Sequence, residues 1–502
     1  MAWIKPLSAE TADDPTVLGG KAHGLVVLRR LGLPVPPGFV ITTGACRAFL
    51  RDGRPPDGLT AELAAAVRDL EAVTGRRLGG RERPLVVSVR SGASVSMPGM
   101  MSTILNLGLT TAATAGLAAE TGDERFAVAS RRRLLSALTG PVPDDAARQL
   151  EHAIAAVFSS WDTPRARIYR ELHGIPHDLG TAVIVQAMVF GNRDGRSGTG
   201  VAFSRDPNTG ERVPYGEVLF GAQGEDVVSG RSMTRPLTDL ADREPAVWAD
   251  LLDAMAAIER HYRDACQVEF TFESGEPWLL QVRPGGLVGR AAIRVAVDLA
   301  DEGVIGRHEA LLRVSPHHVH HARTPRIETA GARLDILTRG VGAGPGVATG
   351  RVATTPERAV RMAAGGPVIL VRPETSPADL YGLTASAGVV TARGGPASHA
   401  AVVARAMGRP AVVGAADLTI DAAAGSLRVA GRTVPDGALI TIDGTGGEVV
   451  AGSAPVSTAP ADDHLRRLLE WADDVSGGSG RSADDGPGRL AAARAVLLDG
   501  RP

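Results

Sequence analysis

The chain has 502 residues, and 54 Lys+Arg against 56 Asp+Glu leave it near neutral, without the basic footprint of a nucleic-acid binder. That length exceeds what one core serves, so two to four domains are expected; 44% hydrophobic residues with only 4% aromatics imply cores built mostly of Ala, Val and Leu. Cys46 and Cys266 stand in no metal-ligand spacing, no leader pattern opens the chain and no run approaches a membrane span, so a cytoplasmic, reducing setting without membrane or nucleic-acid partners is expected.

From Gly19 to about Arg290, short β-branched runs alternate with helical patterns. PGFVIT, PLVVSVR, TAVIVQAMV, GTGVAFS, GEVLFG, QVEFTFE and WLLQVR read as strands, and Gly58–Thr74 and Ala146–Leu172 as helices. Residues 291–336 read as helical and connective. Within them SPHHVHHARTPR has no carboxylate or cysteine company, so it reads as a solvated linker and not as a metal site. A small β-rich domain follows over 337–453, entered through GVGAGPGVATGRV. The remainder, 454–502, reads as linker with two helical patterns, HLRRLLEWADDV and RLAAARAVLL, around a flexible GGSGRSADDGPG. The whole is expected to be a multidomain α+β protein.

The sharpest feature is TARGGPASHAAVVARAMG. Gly394 and Gly395 make a turn free of Cβ clashes, Ser398 is placed to cap, and AAVVARAM continues as a helix, which sets His399 at the helix mouth. Unpaired backbone N–H groups and the positive end of the helix dipole favour an anion there, and a neutral imidazole is a competent nucleophile. A phosphate carried on His399 fits both properties. Upstream, LGGKAHG sets Lys21 after a Gly-Gly turn, and VVSVRSGASVSMPGMM sets Arg90 at a strand end before a loop of small residues whose amides can approach phosphates. No GxxxxGK[ST] is present, so this is not a P-loop.

GGPASHAAVVARAMGRPAVVG, with VILVRPETSPADL before it, closely resembles the phosphohistidine signature of phosphoenolpyruvate-utilising enzymes such as pyruvate phosphate dikinase. From Lys21 to Arg290, LGGKAHGLVVLRRLGLPVPPGFVIT, DERFAVASRRRLL, SGTGVAFSRDPNTGE and GAQGEDVVSG are similar, in the family's order, to its nucleotide-binding domain, with a subdomain trimmed between about Thr139 and Ala146. The resemblance implies an ATP-grasp domain over 1–290, a helical linker over 291–336, a swivelling β/β/α phosphohistidine domain over 337–453, and a linker with a barrel-start remnant over 454–502. It implies that His399 is phosphorylated from ATP with inorganic phosphate and Mg²⁺, giving AMP and pyrophosphate. Lys21, Arg90 and Arg283 would meet the ATP phosphates, with Arg132 or Arg133 near the transferred group. Gln186 and Met188 would lie on the strand that hydrogen-bonds adenine, and Glu269 and Gln281 would offer oxygens to Mg²⁺.

Two positions depart from the family pattern. Gln267 stands where an acidic residue is usual, which removes one charge from the metal environment. Ala397 stands where many dikinases carry a regulatory threonine, so that control is expected to be absent. The pyruvate-binding (α/β)₈ barrel is not recognisable in the sequence, which implies that the phosphate passes to pyruvate, or to another acceptor, on a separate barrel protein. Since the family's dimer contact is placed in the barrel, a monomer is expected. The rival readings are a phosphotransferase for a different small molecule and a non-catalytic ATP-binding partner protein.

Overall fold

In a computed structural model of the chain, proline and glycine set most of the element boundaries. The structure describes residues 2–499 apart from 96, 98–99, 139, 173, 229–233, 323–324, 329–333, 459–461 and 478–484. Parts of four predicted stretches, the Ser/Met loop after Arg90, GEDVVSG, SPHHVHHARTPR and the GGSGR run, therefore lie outside the described residues. The chain divides into two units: Met1–Thr199 with Phe220–Gln223 and Val268–Val282, and Gly200–Leu219 with Gly224–Gln267 and Arg283–Pro502.

The first unit is built on a five-stranded antiparallel sheet. Its strands are β1 (Ile4–Pro6), β2 (Gly38–Ile41), β3 (Val87–Gly92), β4 (Thr103–Leu107) and β5 (Ala182–Ala187), in the order β1-β2-β5-β3-β4. Alternation in β2, β3 and β5 turns Phe39, Ile41, Val87, Val89, Val183 and Val185 into one core with Leu63, Leu117 and Phe158. Burying each such side chain contributes roughly 1.5–3 kcal/mol. Helix α1 (Pro15–Arg30) and helix α2 (Glu124–Ala137) belong to this unit, and α2 packs on β4. The run predicted as one helix from Ala146 to Leu172 is two, Ala146–Ser160 and Pro164–Leu172. Pro164 has no N–H and disfavours helical backbone in the residue before it, so the first helix stops short of it at Ser160 and the second starts on the proline.

The second unit holds an eight-stranded mixed sheet: β6 (Ile336–Arg339), β7 (Val341–Gly344), β8 (Val347–Ala353), β9 (Val368–Arg372), β10 (Gly388–Thr391), β11 (Ala411–Val413), β12 (Leu439–Asp443) and β13 (Glu448–Ala451). Their order is β6-β13-β12-β8-β9-β10-β11-β7, and β8 to β11 run parallel. Beside it, α3 (Gly289–Asp301), α4 (Arg307–Arg313) and α5 (Pro316–Ala322) form a helical core, and helix α6 (His399–Ala406) follows β10. Helices α7 (Asp463–Ser476) and α8 (Gly486–Asp499) complete that core, where Val297, Leu311, Val319, Leu468, Trp471 and Leu490 are buried together. The histidine-rich stretch read as a solvated linker is thus mostly a helix. Pro316 starts it, and Val319, 4% exposed, anchors it.

These elements bear out the multidomain α+β class. Among the described residues, no helix is long and apolar enough to cross a membrane.

Candidate active site

The parallel strands of the second unit prepare one place for chemistry. In such a sheet the loops leaving adjacent carboxyl ends converge. The loop after β9 carries Thr375 and the loop after β10 leads into His399, and Thr375 Oγ1 stands 3.1 Å from His399 Nδ1. His399 is the first residue of α6, half-buried at the helix mouth. Gly394 turns the chain with φ +95°, a conformation that favours glycine. Ser398 takes the N-cap position with extended backbone, but its hydroxyl makes no capping hydrogen bond. The turn closes through backbone instead: Ser398 N donates to Gly395 O, and Val402 N donates to Ser398 O, both at 3.0 Å.

Two side chains that sequence reasoning missed hold this loop. Glu217, 2% exposed, accepts the Ala397 N–H on Oε1 at 2.6 Å. Burial pushes its carboxyl above the ordinary range, offset in part by the Thr234 hydroxyl, the Ala397 N–H and the charge of Arg405. Gly395 leaves room for that carboxylate, since a Cβ there would fall 1.7 Å from Glu217 Oε2. Arg405, six residues along from His399, donates to Pro396 O at 2.7 Å and to Ala343 O at 2.9 Å. Desolvation of its guanidinium brings its pKa down to about 10. An inward glutamate in the run GEVLFG was the available signal for Glu217, while Arg405 and Thr375 lie inside motifs already quoted.

The first unit gathers several of the predicted nucleotide residues. Gly19, φ +74°, interrupts α1, and Gly20 N donates to Ala93 O at 3.0 Å. A Cβ at Gly19 would meet Gly92 O at 1.6 Å, so only glycine lets the start of the Lys21 helix segment lie against the end of β3. Two residues before Gly92, Arg90 is 7% exposed; it donates to Leu280 O at 3.1 Å and to Gln186 Oε1. Burial lowers its pKa and the charge of Glu269 raises it again. Gln186 is 1% exposed, and its Nε2 donates to Pro36 O at 2.8 Å, so its side chain is occupied in holding Arg90. Its backbone lies mid-sheet between Gly38 and Ser88, and Met188 N donates to Val86 O.

Glu269 and Gln281 lie on neighbouring strands, Cys266–Glu273 and Glu276–Pro284. Arg132, exposed, and Arg133, half-buried, lie on α2, and Arg283 falls just past the segment that belongs to this unit. One carboxylate and one amide oxygen suit Mg²⁺ when nucleotide phosphates supply further oxygens. Among the described residues no group of three His, Cys, Asp or Glu could hold a metal alone.

Comparison with known proteins matches residues 54–236 to the AMP/ATP-binding domain of pyruvate phosphate dikinase, and residues 365–447 to the mobile domain of PEP-utilising enzymes. Over 98% of its length the chain is 40% identical to the pyruvate, phosphate dikinase of Rhizobium meliloti (strain 1021), covering 62% of that protein. It is 40% identical to pyruvate, phosphate dikinase 2 of Zea mays over 91% of the chain and 58% of that protein. Identity to the Clostridium symbiosum dikinase is 37%, over 94% of the chain and 60% of that protein. The chain spans about three fifths of the length of these relatives.

Proposed function

From the homology of this chain to the pyruvate, phosphate dikinases along 98% of its length, we propose that it is a dikinase-type phosphotransferase whose phosphoryl carrier is His399. ATP, inorganic phosphate and the imidazole give AMP, pyrophosphate and phosphohistidine, and the phosphoryl group then passes to pyruvate, or to another acceptor, on a barrel supplied outside these residues. With this function we propose an ATP-grasp domain over 1–290, a helical linker over 291–336, a phosphohistidine domain over 337–453, and a linker with a barrel-start remnant over 454–502.

The observation that carries the reading is the pair Thr375–His399 at the mouth of α6. The reaction needs the tautomer in which Nδ1–H donates to Thr375 Oγ1, which leaves the Nε2 lone pair as the nucleophile. First-turn amides and the helix dipole then favour the phosphate that arrives. On the nucleotide side Lys21, Arg90 and Arg283 receive the ATP phosphates, with Arg132 or Arg133 near the transferred group and Gln186 and Met188 on the adenine-binding strand. Glu269 and Gln281 would hold Mg²⁺, which supplies charge neutralisation on the phosphates when bound. The clamp of Gln186 on Arg90 supports this by fixing a buried cation in one orientation.

The test is incubation of the purified protein with [β-³²P]ATP, Mg²⁺ and phosphate. The expected result is one acid-labile label per chain, absent in His399→Asn. No label, or a label that survives His399→Asn, refutes the proposal.

A further inference from the structure

The helix α5, Pro316–Ala322, carries four histidines in seven residues. His317 and His321 are one turn apart and therefore share a face. Their Nε2 atoms stand 3.0 Å from each other, with ring centroids 4.2 Å apart and planes at 50°. Two imidazole nitrogens at that distance share one proton, one as donor and one as acceptor. Burial, with the neighbouring His317 and His320, holds the His321 ring below the ordinary histidine range, which favours the neutral, ligating form.

We propose that His317 and His321 form a two-imidazole site for a divalent first-row transition metal ion, of which Zn²⁺ is the representative, independent of the nucleotide and phosphohistidine chemistry. Nitrogen ligands at about 2.0–2.1 Å from one ion lie roughly 2.8–3.4 Å apart for angles between octahedral and tetrahedral. The observed separation already lies in that range, so small rotations of the two rings suffice, and the ion takes the place of the shared proton. Space is available, because His317 and His321 line a cavity of about 990 Å³ that also reaches Gly408 and Glu470. Imidazole donors select Zn²⁺, Ni²⁺ or Co²⁺ over the oxygen-seeking Mg²⁺.

The other two histidines have different employment. His318 Nδ1 accepts from Ser315 N at 3.3 Å, and His320 stands edge-on to His321 with centroids 5.4 Å apart. With two protein ligands and water completing the shell, the ion is exchangeable and not a structural staple. Its place is beside the end of the His399 helix: a Cβ at Gly408, two residues after α6, would meet the His321 ring at 3.1 Å.

The test uses the metal-free 502-residue protein titrated with Zn²⁺ by calorimetry and with Co²⁺ by visible absorption. One ion per chain is expected, unaffected by millimolar Mg²⁺. His317→Gln and His321→Gln should each weaken binding at least ten-fold, while His320→Gln stays within two-fold, with melting temperatures of the metal-free variants compared to confirm folding. Absence of stoichiometric binding by the unaltered protein overturns the proposal, as does unchanged affinity in folded His317→Gln.

Discussion

Thr375 Oγ1 lies 3.1 Å from His399 Nδ1, so a hydroxyl leaving one parallel strand meets the imidazole that follows the next. On the proposed reading, phosphorylation at Nε2 depends on that contact, because it would select which nitrogen keeps its proton. Thr375→Val should slow label incorporation from [β-³²P]ATP roughly 5-fold, the worth of one hydrogen bond of about 1 kcal/mol, and Thr375→Ser should restore it. An equal rate in both variants would remove Thr375 from the mechanism.

Arg90 is a buried cation whose guanidinium is held by the Gln186 side chain and the Leu280 carbonyl. Gln186→Leu leaves a charged donor without its acceptor, at a cost of about 1.5–3 kcal/mol. Chemical denaturation should register that loss, and the Kd for ATP measured by calorimetry should rise roughly ten-fold. Wild-type ATP affinity in this variant would argue that Arg90 does not meet the nucleotide.

Gly395 faces the Glu217 carboxylate so closely that any Cβ collides with it, 1.7 Å from Oε2 and 2.7 Å from Thr234 Oγ1. Gly395→Ala should therefore destabilise the fold by about 1–3 kcal/mol, as overpacking does. In the double variant Gly395→Ala/Glu217→Ala the two losses should be strongly non-additive, since the second change removes the obstacle. Simple additivity in a denaturation cycle would show that the two groups do not meet.

Glu217 also sets a pH dependence. Its carboxyl is raised by burial, so the folded protein binds this proton more tightly than the unfolded chain does. Stability from this group is complete below the unfolded carboxyl pKa and declines as pH rises from there through the raised folded value. The groups facing it are the Thr234 hydroxyl, the Ala397 N–H and Arg405. Glu217→Gln keeps an acceptor for Ala397 and removes the titration, so its unfolding free energy should vary less with pH above the ordinary carboxyl range. Parallel pH profiles for the two proteins would contradict this.

Much of the architecture was legible because its signals are local. β-Branched runs such as TAVIVQAMV and VILVR announced strands, and the Gly-Gly turn before an apolar helix pattern announced the position of His399. The single helix expected from Ala146 to Leu172 failed on Pro164, a local signal that apolar periodicity outweighed. The histidine-rich stretch failed for a different reason. Its two apolar residues, Val319 and Ala322, gave no pattern of their own, and only α3, α4, α7 and α8 gathered around them turn Val319 into a core position.

The sequence by itself determined most of the elements, their order and several of the candidates for chemistry, because propensity, turn chemistry and periodicity act over a few residues. Tertiary structure alone decided which candidates meet. Glu217 reaches Ala397 across 180 positions and Arg90 reaches Gln186 across 96, and no local rule reports a contact between residues so far apart. The same holds for the charge state of Glu217, which follows from the desolvation that the folded chain imposes and not from its neighbours in sequence.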